Sequence, residues 1–261
     1  MKKYIIIGVL CAAILLTAYI PFTYLEPNYH IQKDNLGYNL SKGFMGLKVY
    51  NVMKRLNISD TYIRYDEEVE EAVKAFQREN NLEETGIVDI HTWIALGFTN
   101  DEWYDLECYI TPCQVNENSS YEERIQVMID TARSYLGTEF VDGASGNVGT
   151  GIDCSGLIMQ VMYSVGLDPE PISPIRHSHP EYEYESYSLW LHDNIKHYPY
   201  FNRKPGDLVF YHDSKGKVNH VGLYIGNDEM IEATREEGVK LTKITSTKNI
   251  KCVGRMIKAE R

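Results

Sequence analysis

Positive charge is scarce in this chain. Against 37 Asp and Glu there are only 26 Lys and Arg, for a formal net charge of -11 and a pI near 5.2. Nucleic acid is thereby excluded as a partner, because phosphate binding needs a basic face. Cysteine is scarce as well, with five in 261 residues, and its usage supports export only weakly. Cys108 and Cys113 could close a short loop through Tyr109-Ile110-Thr111-Pro112 in an oxidising compartment. No histidine stands near them, so a metal is not expected there. Cys252 reads as a small buried apolar residue, the usual fate of a lone cysteine.

A long uncharged run occurs once, from Tyr4 to Ile20, behind Lys2 and Lys3 and ahead of Pro21. That is the pattern of an export signal or a membrane anchor. A small-x-small cleavage site is missing after it, and Cys11 lacks the small preceding residue of a lipoprotein signal. Residues 1–22 are therefore expected to be an uncleaved single-pass anchor, lysines inside, with the rest of the chain exported to the cell surface.

What is present is length for two domains and 43% apolar residues. Twenty tyrosines lean towards wet, polar ligands such as sugars and peptides. After a polar spacer (23–42), apolar residues recur at helical spacing: Leu47, Val49, Tyr50, Met53 and Leu56, then Val69, Ala72, Val73 and Phe76. A turn at Gly86-Ile87-Val88-Asp89 leads to a last short helix closed by Gly97. Residues 99–118, acidic and broken by Pro112, read as a linker.

The second domain, 119–261, opens on a capping box, Ser119 with Glu122 or Ser120 with Glu123. An apolar face follows from Ile125 to Leu136, then a glycine-rich loop from Gly143 to Gly151. Asp153 can cap the next helix, Cys154 to about Val165. Strands are expected over 207–211, 220–225, 229–234 and 239–244. Helices first and strands later mean α+β with an antiparallel sheet.

Cys154 carries the chemistry. A thiol is a strong nucleophile only as the thiolate, which a helix N-terminus and a nearby histidine both favour. His220 heads an alternating strand. Val221, Leu223 and Ile225 take the core, so His220, Gly222 and Tyr224 share the cleft face. Glu232 is the candidate to orient the imidazole. With Gly226-Asn227-Asp228 as a three-residue loop, Ile225 pairs with Glu229 and Gly222 with Glu232, which puts Glu232 diagonal to His220 on that face. A two-residue loop would bury the carboxylate in the core. His177 and His179 lack a carboxylate–histidine set for a metal and are expected in a substrate-lining loop.

Two resemblances follow from these residues. Ala72-Val73-Lys74-Ala75-Phe76-Gln77, Asn81-Leu82, Gly86-Ile87-Val88-Asp89 and Thr92-Trp93 resemble the three-helix peptidoglycan-binding domain, over about 43–98. The second covers about 120–258. Ala132-Arg133-Ser134-Tyr135-Leu136-Gly137, Asp153-Cys154-Ser155-Gly156-Leu157, Pro205-Gly206-Asp207-Leu208-Val209-Phe210, His220 to Gly226 and Met230-Ile231-Glu232-Ala233 resemble the NlpC-type papain-like peptidases. This implies a Cys154/His220/Glu232 endopeptidase that needs no cofactor and cuts peptidoglycan stem peptides, typically after the γ-linked D-glutamyl residue. It also implies that Asp153 and Ser155 help seat the stem peptide. The family's Tyr-x-Trp-Gly-Gly-like stretch is replaced by Phe140-Val141-Asp142-Gly143-Ala144, and its frequent third histidine by Glu232. An N-acetylmuramoyl-L-alanine amidase and a non-catalytic wall-binding scaffold remain as alternatives.

Overall fold

The computed structural model describes residues 37–60, 62–182 and 185–258. The expected membrane anchor lies outside them. Among the described residues no helix is long and apolar enough to cross a membrane.

Four helices build the first unit: α1 (Gly46–Arg55), α2 (Glu67–Glu79), α3 (Ile90–Ala95) and α4 (Asn100–Asp105). Polar side chains start the last three, with Asp66 accepting from Val69 N, Asp89 from Thr92 N, and Thr99 forming a capping box with Glu102. Their apolar stripes meet around Trp93, Tyr65, Val73 and Trp103. Buried Gln77 clamps the turn before α3. Its Oε1 accepts from Thr85 N and Gly86 N, and its Nε2 donates to Ile87 O (2.9 Å) and Thr92 Oγ1 (3.1 Å). Gly86 sits there at φ +68, where a side chain would be strained. Trp103 on α4 joins this core, so the stretch 99–118 begins as part of the helical unit.

The second unit is α+β. Helix α5 (Tyr121–Ser134) opens on the Ser120/Glu123 capping box, and α6 (Cys154–Ser164) is buried along nearly its whole length. Two short helices follow, α7 (Pro174–His177) and α8 (Glu185–Leu191). The strands are β1 (Lys196–Tyr198), β2 (Leu208–His212), β3 (Val218–Gly226), β4 (Glu229–Thr234), β5 (Gly238–Lys243) and β6 (Ile250–Arg255). They form one antiparallel sheet in the order β1-β6-β2-β3-β4-β5. The core lies between the sheet and α5, α6 and α8.

The β3–β4 hairpin corrects one expectation. Its loop is two residues, Asn227-Asp228, both at positive φ, and Gly226 pairs with Glu229. A bulge at Ile225 then restores the expected register, with Tyr224 opposite Met230 and Leu223 opposite Ile231. A Cβ on Gly222 would stand 3.3 Å from Glu232 Cβ, so Glu232 reaches the cleft face despite the shorter loop. The extra residue makes up the difference.

The two units share an interface. Leu47 packs with Val141 and Ala144 in a small core, flanked by Tyr50 and Ile63. Met45 N donates to Ser178 O (2.9 Å), Gly46 N to Asp142 O (2.7 Å) and Ile63 N to Asp142 Oδ2 (3.1 Å). Glu107 is buried there as well, accepting from Lys48 N and from Tyr38 Oη. Desolvation pushes its pKa up, against the pull of Lys48.

Cys108 and Cys113 are free thiols, directed at backbone carbonyls rather than at each other.

Candidate active site

Cys154 is the first residue of α6 and half-buried. Asp153 fixes that helix end, its Oδ1 accepting from Gly156 N at 2.8 Å. The positive end of the helix dipole therefore lies at the sulfur, which favours negative charge there. On the neighbouring sheet, His220 Nε2 bonds Glu232 Oε2 at 2.6 Å, and Thr242 on β5 donates to Glu232 Oε1, also at 2.6 Å. Nε2 is thus engaged, which leaves Nδ1 as the ring nitrogen open to Cys154, the group whose bond and charge do most to raise this imidazole's pKa.

Electrostatics follow from that chain of contacts. Desolvation would lower the His220 pKa, but the bond to Cys154, the charge of Cys154 and the Glu232 carboxylate outweigh it and push it up to about 10. For Glu232 burial raises the pKa, while the bond and charge of His220, with help from Thr242, bring it below the usual carboxylate value. Imidazole and carboxylate therefore stand as a charged pair at neutral pH. An imidazolium held in this way can stabilise a thiolate and return a proton to a leaving amine.

Asp153 and Ser155 are both buried. Asp153 Oδ2 meets His177 Nε2 at 2.7 Å and accepts from Gly143 N at 2.9 Å, while Ser155 Oγ bonds Asp153 Oδ1 at 3.1 Å. Burial alone would raise the Asp153 pKa, but the adjacent His177 holds it down; burial would likewise lower His177, and Asp153 outweighs it and raises the imidazole. This pair ties the nucleophile's helix, the glycine-rich loop and α7 together beneath Cys154. His177 is thus a buried partner rather than a substrate-lining residue. His179 lies against Tyr38 and Phe44 with its ring tilted to both.

Of the expected residues, Cys154, His220 and Glu232 converge, and Asp153 and Ser155 lie just under them. Two were missed. Thr242 could have been found from the alternation of β5, since Met230 pairs with it and Glu232 pairs with Lys240 two positions back. For His177 the sequence holds one hint, namely that a buried capping carboxylate needs a cation.

Phe140 bridges to Ile152 just ahead of Cys154. With Arg235 and Glu139 it borders a cavity of about 430 Å3 whose other wall is the helical unit.

Family models bear on the same two segments: residues 137–255 match the NlpC/P60 family, and residues 48–96 match the peptidoglycan binding domain. This chain carries an NlpC/P60 domain behind a peptidoglycan-binding domain. Among curated relatives, the probable endopeptidase p60 of Listeria grayi is 30% identical over 132 residues, 50% of this chain and 22% of that protein. The gamma-D-glutamyl-L-lysine dipeptidyl-peptidase of Bacillus cereus is 30% identical over 113 residues, 42% of this chain and 28% of that protein. The chain thus spans about a quarter of the length of these relatives. An NlpC/P60 family protein from Bacillus cereus aligns with a TM-score of 0.42 at 22% identity, over 51% of this chain and 40% of that one.

Proposed function

We propose that the protein is an exported peptidoglycan hydrolase, a cysteine endopeptidase that cuts stem peptides at the D-γ-glutamyl–diamino acid bond. The observation that carries the reading is the imidazole of His220, held by Glu232 at 2.6 Å on one nitrogen and kept protonated by the neighbouring Cys154 and Glu232. In the reaction, the Cys154 thiolate attacks the γ-amide carbonyl and the carbonyl oxygen takes the negative charge. Backbone N–H groups at the α6 N-terminus face that charge. The His220 imidazolium donates its Nδ1 proton to the departing nitrogen, the C–N bond breaks, and a thioester and a free amine result. Water then attacks the thioester with His220 taking its proton, and release of the γ-glutamyl carboxylate restores the thiolate–imidazolium pair.

Glu232 keeps its charge throughout and holds the ring. Asp153 and Ser155 serve the stem peptide through the loop and helix end they fix, since both side chains are buried and turned to His177. The peptidoglycan-binding domain keeps the enzyme on its polymer, which raises the local concentration of stems.

The experiment is digestion of purified peptidoglycan beside Cys154→Ala, with products read by mass spectrometry. Fragments that begin at the diamino acid, absent with the variant, are expected. Intact stems freed from glycan would mean an amidase, and binding without cleavage a scaffold.

A further inference from the structure

The cavity between the two domains holds an arginine that the mechanism does not use. Arg235 follows β4. It is the next residue after the strand that carries Glu232, the partner of His220, and a Cβ on Gly222 would stand 3.3 Å from Glu232 Cβ, so β3 and β4 run side by side at this end. Its guanidinium is held on three sides. Asp142 takes Nη1 with both carboxylate oxygens, the Tyr62 ring lies 4.4 Å from the guanidinium carbon, and the Phe140 ring 5.2 Å. Asp142 is itself fixed by the Ile63 N–H from the helical domain. A surface arginine ordinarily has many rotamers, whereas this one is stacked and pinned.

Among the described residues, Nη1 alone has a protein acceptor, the N–H groups of Nε and Nη2 bond none, and Arg235 lines the cavity. That free edge is the planar two-donor fork that fits a carboxylate. The cavity, about 430 Å3, lies at a domain interface; Tyr50, Met53 and Ile63 give it an apolar side, and Lys54, Asp60, Glu139 and Asp142 line it beside Arg235. Phe140 connects it to the nucleophile, because its bridge partner Ile152 is two residues before Cys154.

A γ-glutamyl residue is peculiar in that its side-chain carboxyl forms the scissile amide. Its α-carboxylate is left free, separated from the reacting carbonyl by the α-carbon and two methylenes. In a chain of net charge -11, an anionic group beside the nucleophile needs a local cation.

We infer that Arg235 binds the free α-carboxylate of the γ-glutamyl residue and makes the enzyme select stems that carry this acid over stems in which it is a carboxamide. The inference rests on the γ-glutamyl cleavage reading above. A carboxamide presents one acceptor and an N–H₂ that opposes the guanidinium donors, so the amidated stem loses one bond and the charge attraction.

The test uses two synthetic tripeptides, L-alanyl-γ-D-glutamyl-L-lysine and its α-carboxamide, cleaved by the wild-type protein, Arg235→Gln and Arg235→Lys. Wild type is expected to favour the acid by about tenfold or more in kcat/KM. In Arg235→Gln that ratio falls towards one, and Arg235→Lys, with charge but no fork, falls between. If wild type cleaves both peptides equally well, the inference fails, whatever the variants do. It fails equally if Arg235→Gln slows both peptides with the ratio kept, for then the arginine only joins the domains. Cleavage of neither peptide would overturn the γ-glutamyl reading and this inference with it, a result distinct from equal cleavage of both.

Discussion

Glu232→Gln isolates the electrostatic part of the site, because the side chain keeps its shape and loses its charge. The carboxylate oxygen lies 2.6 Å from His220 Nε2. With the charge centres roughly 4 Å apart and an effective dielectric of about 20, their attraction is at most about 4 kcal/mol. Glutamine retains an amide oxygen that can still accept from Nε2, so the net loss is about 2 kcal/mol, roughly thirtyfold in kcat/KM. Cleavage of a defined stem tripeptide at pH 7 reads it. The same change has a signature in stability. His220 has its folded pKa raised from 6.5 to about 10, so its contribution is full below 6.5 and disappears as pH rises through about 10. Glu232 is lowered from 4.5, so its contribution is present above 4.5 and disappears as pH falls through the folded value. The variant is therefore less stable than wild type between about pH 5 and 9, and the two denaturation curves converge outside that window. Full activity in Glu232→Gln, together with an unchanged pH profile of stability, would refute the reasoning.

Two further outcomes follow from the contacts. Asp153→Asn leaves His177 buried beside a neutral group and is expected to cost about 3 kcal/mol in chemical denaturation, with cleavage impaired through the loosened α6 N-terminus; an unchanged midpoint would contradict it. Leu47→Ala opens the core shared with Val141 and Ala144, costs about 2–4 kcal/mol, and brings faster amide exchange in the glycine-rich loop, measured by hydrogen exchange.

The site was legible in the sequence where local rules decide it. Asp153 before Cys154 is a capping signal, and the alternation from His220 to Ile225 fixes which face each residue takes. For Glu232 the conclusion survived an error in the loop. The two-residue turn would have thrown the carboxylate into the core, and the bulge at Ile225, for which the sequence carries no plain signal, corrects the register. β1 and β6 were not expected. β1 has three residues only, and β6 is ordered by β2 and β1 on its two sides rather than by its own pattern. The buried partners were hidden for a similar reason. Glu107 meets Lys48 N 59 residues away, and His177 meets Asp153 across the fold. Such pairs are decided by tertiary packing, and so is the interface that joins the two domains.

The central claim is that Cys154 forms a covalent acyl intermediate at the γ-glutamyl carbonyl. Acid-quenched single-turnover reactions with L-alanyl-γ-D-glutamyl-L-lysine, read by intact-protein and peptide mass spectrometry, test it directly. The account predicts free lysine released in step with an alanyl-glutamyl adduct on Cys154, and neither product with Cys154→Ala. Lysine released at the wild-type rate by Cys154→Ala would contradict it.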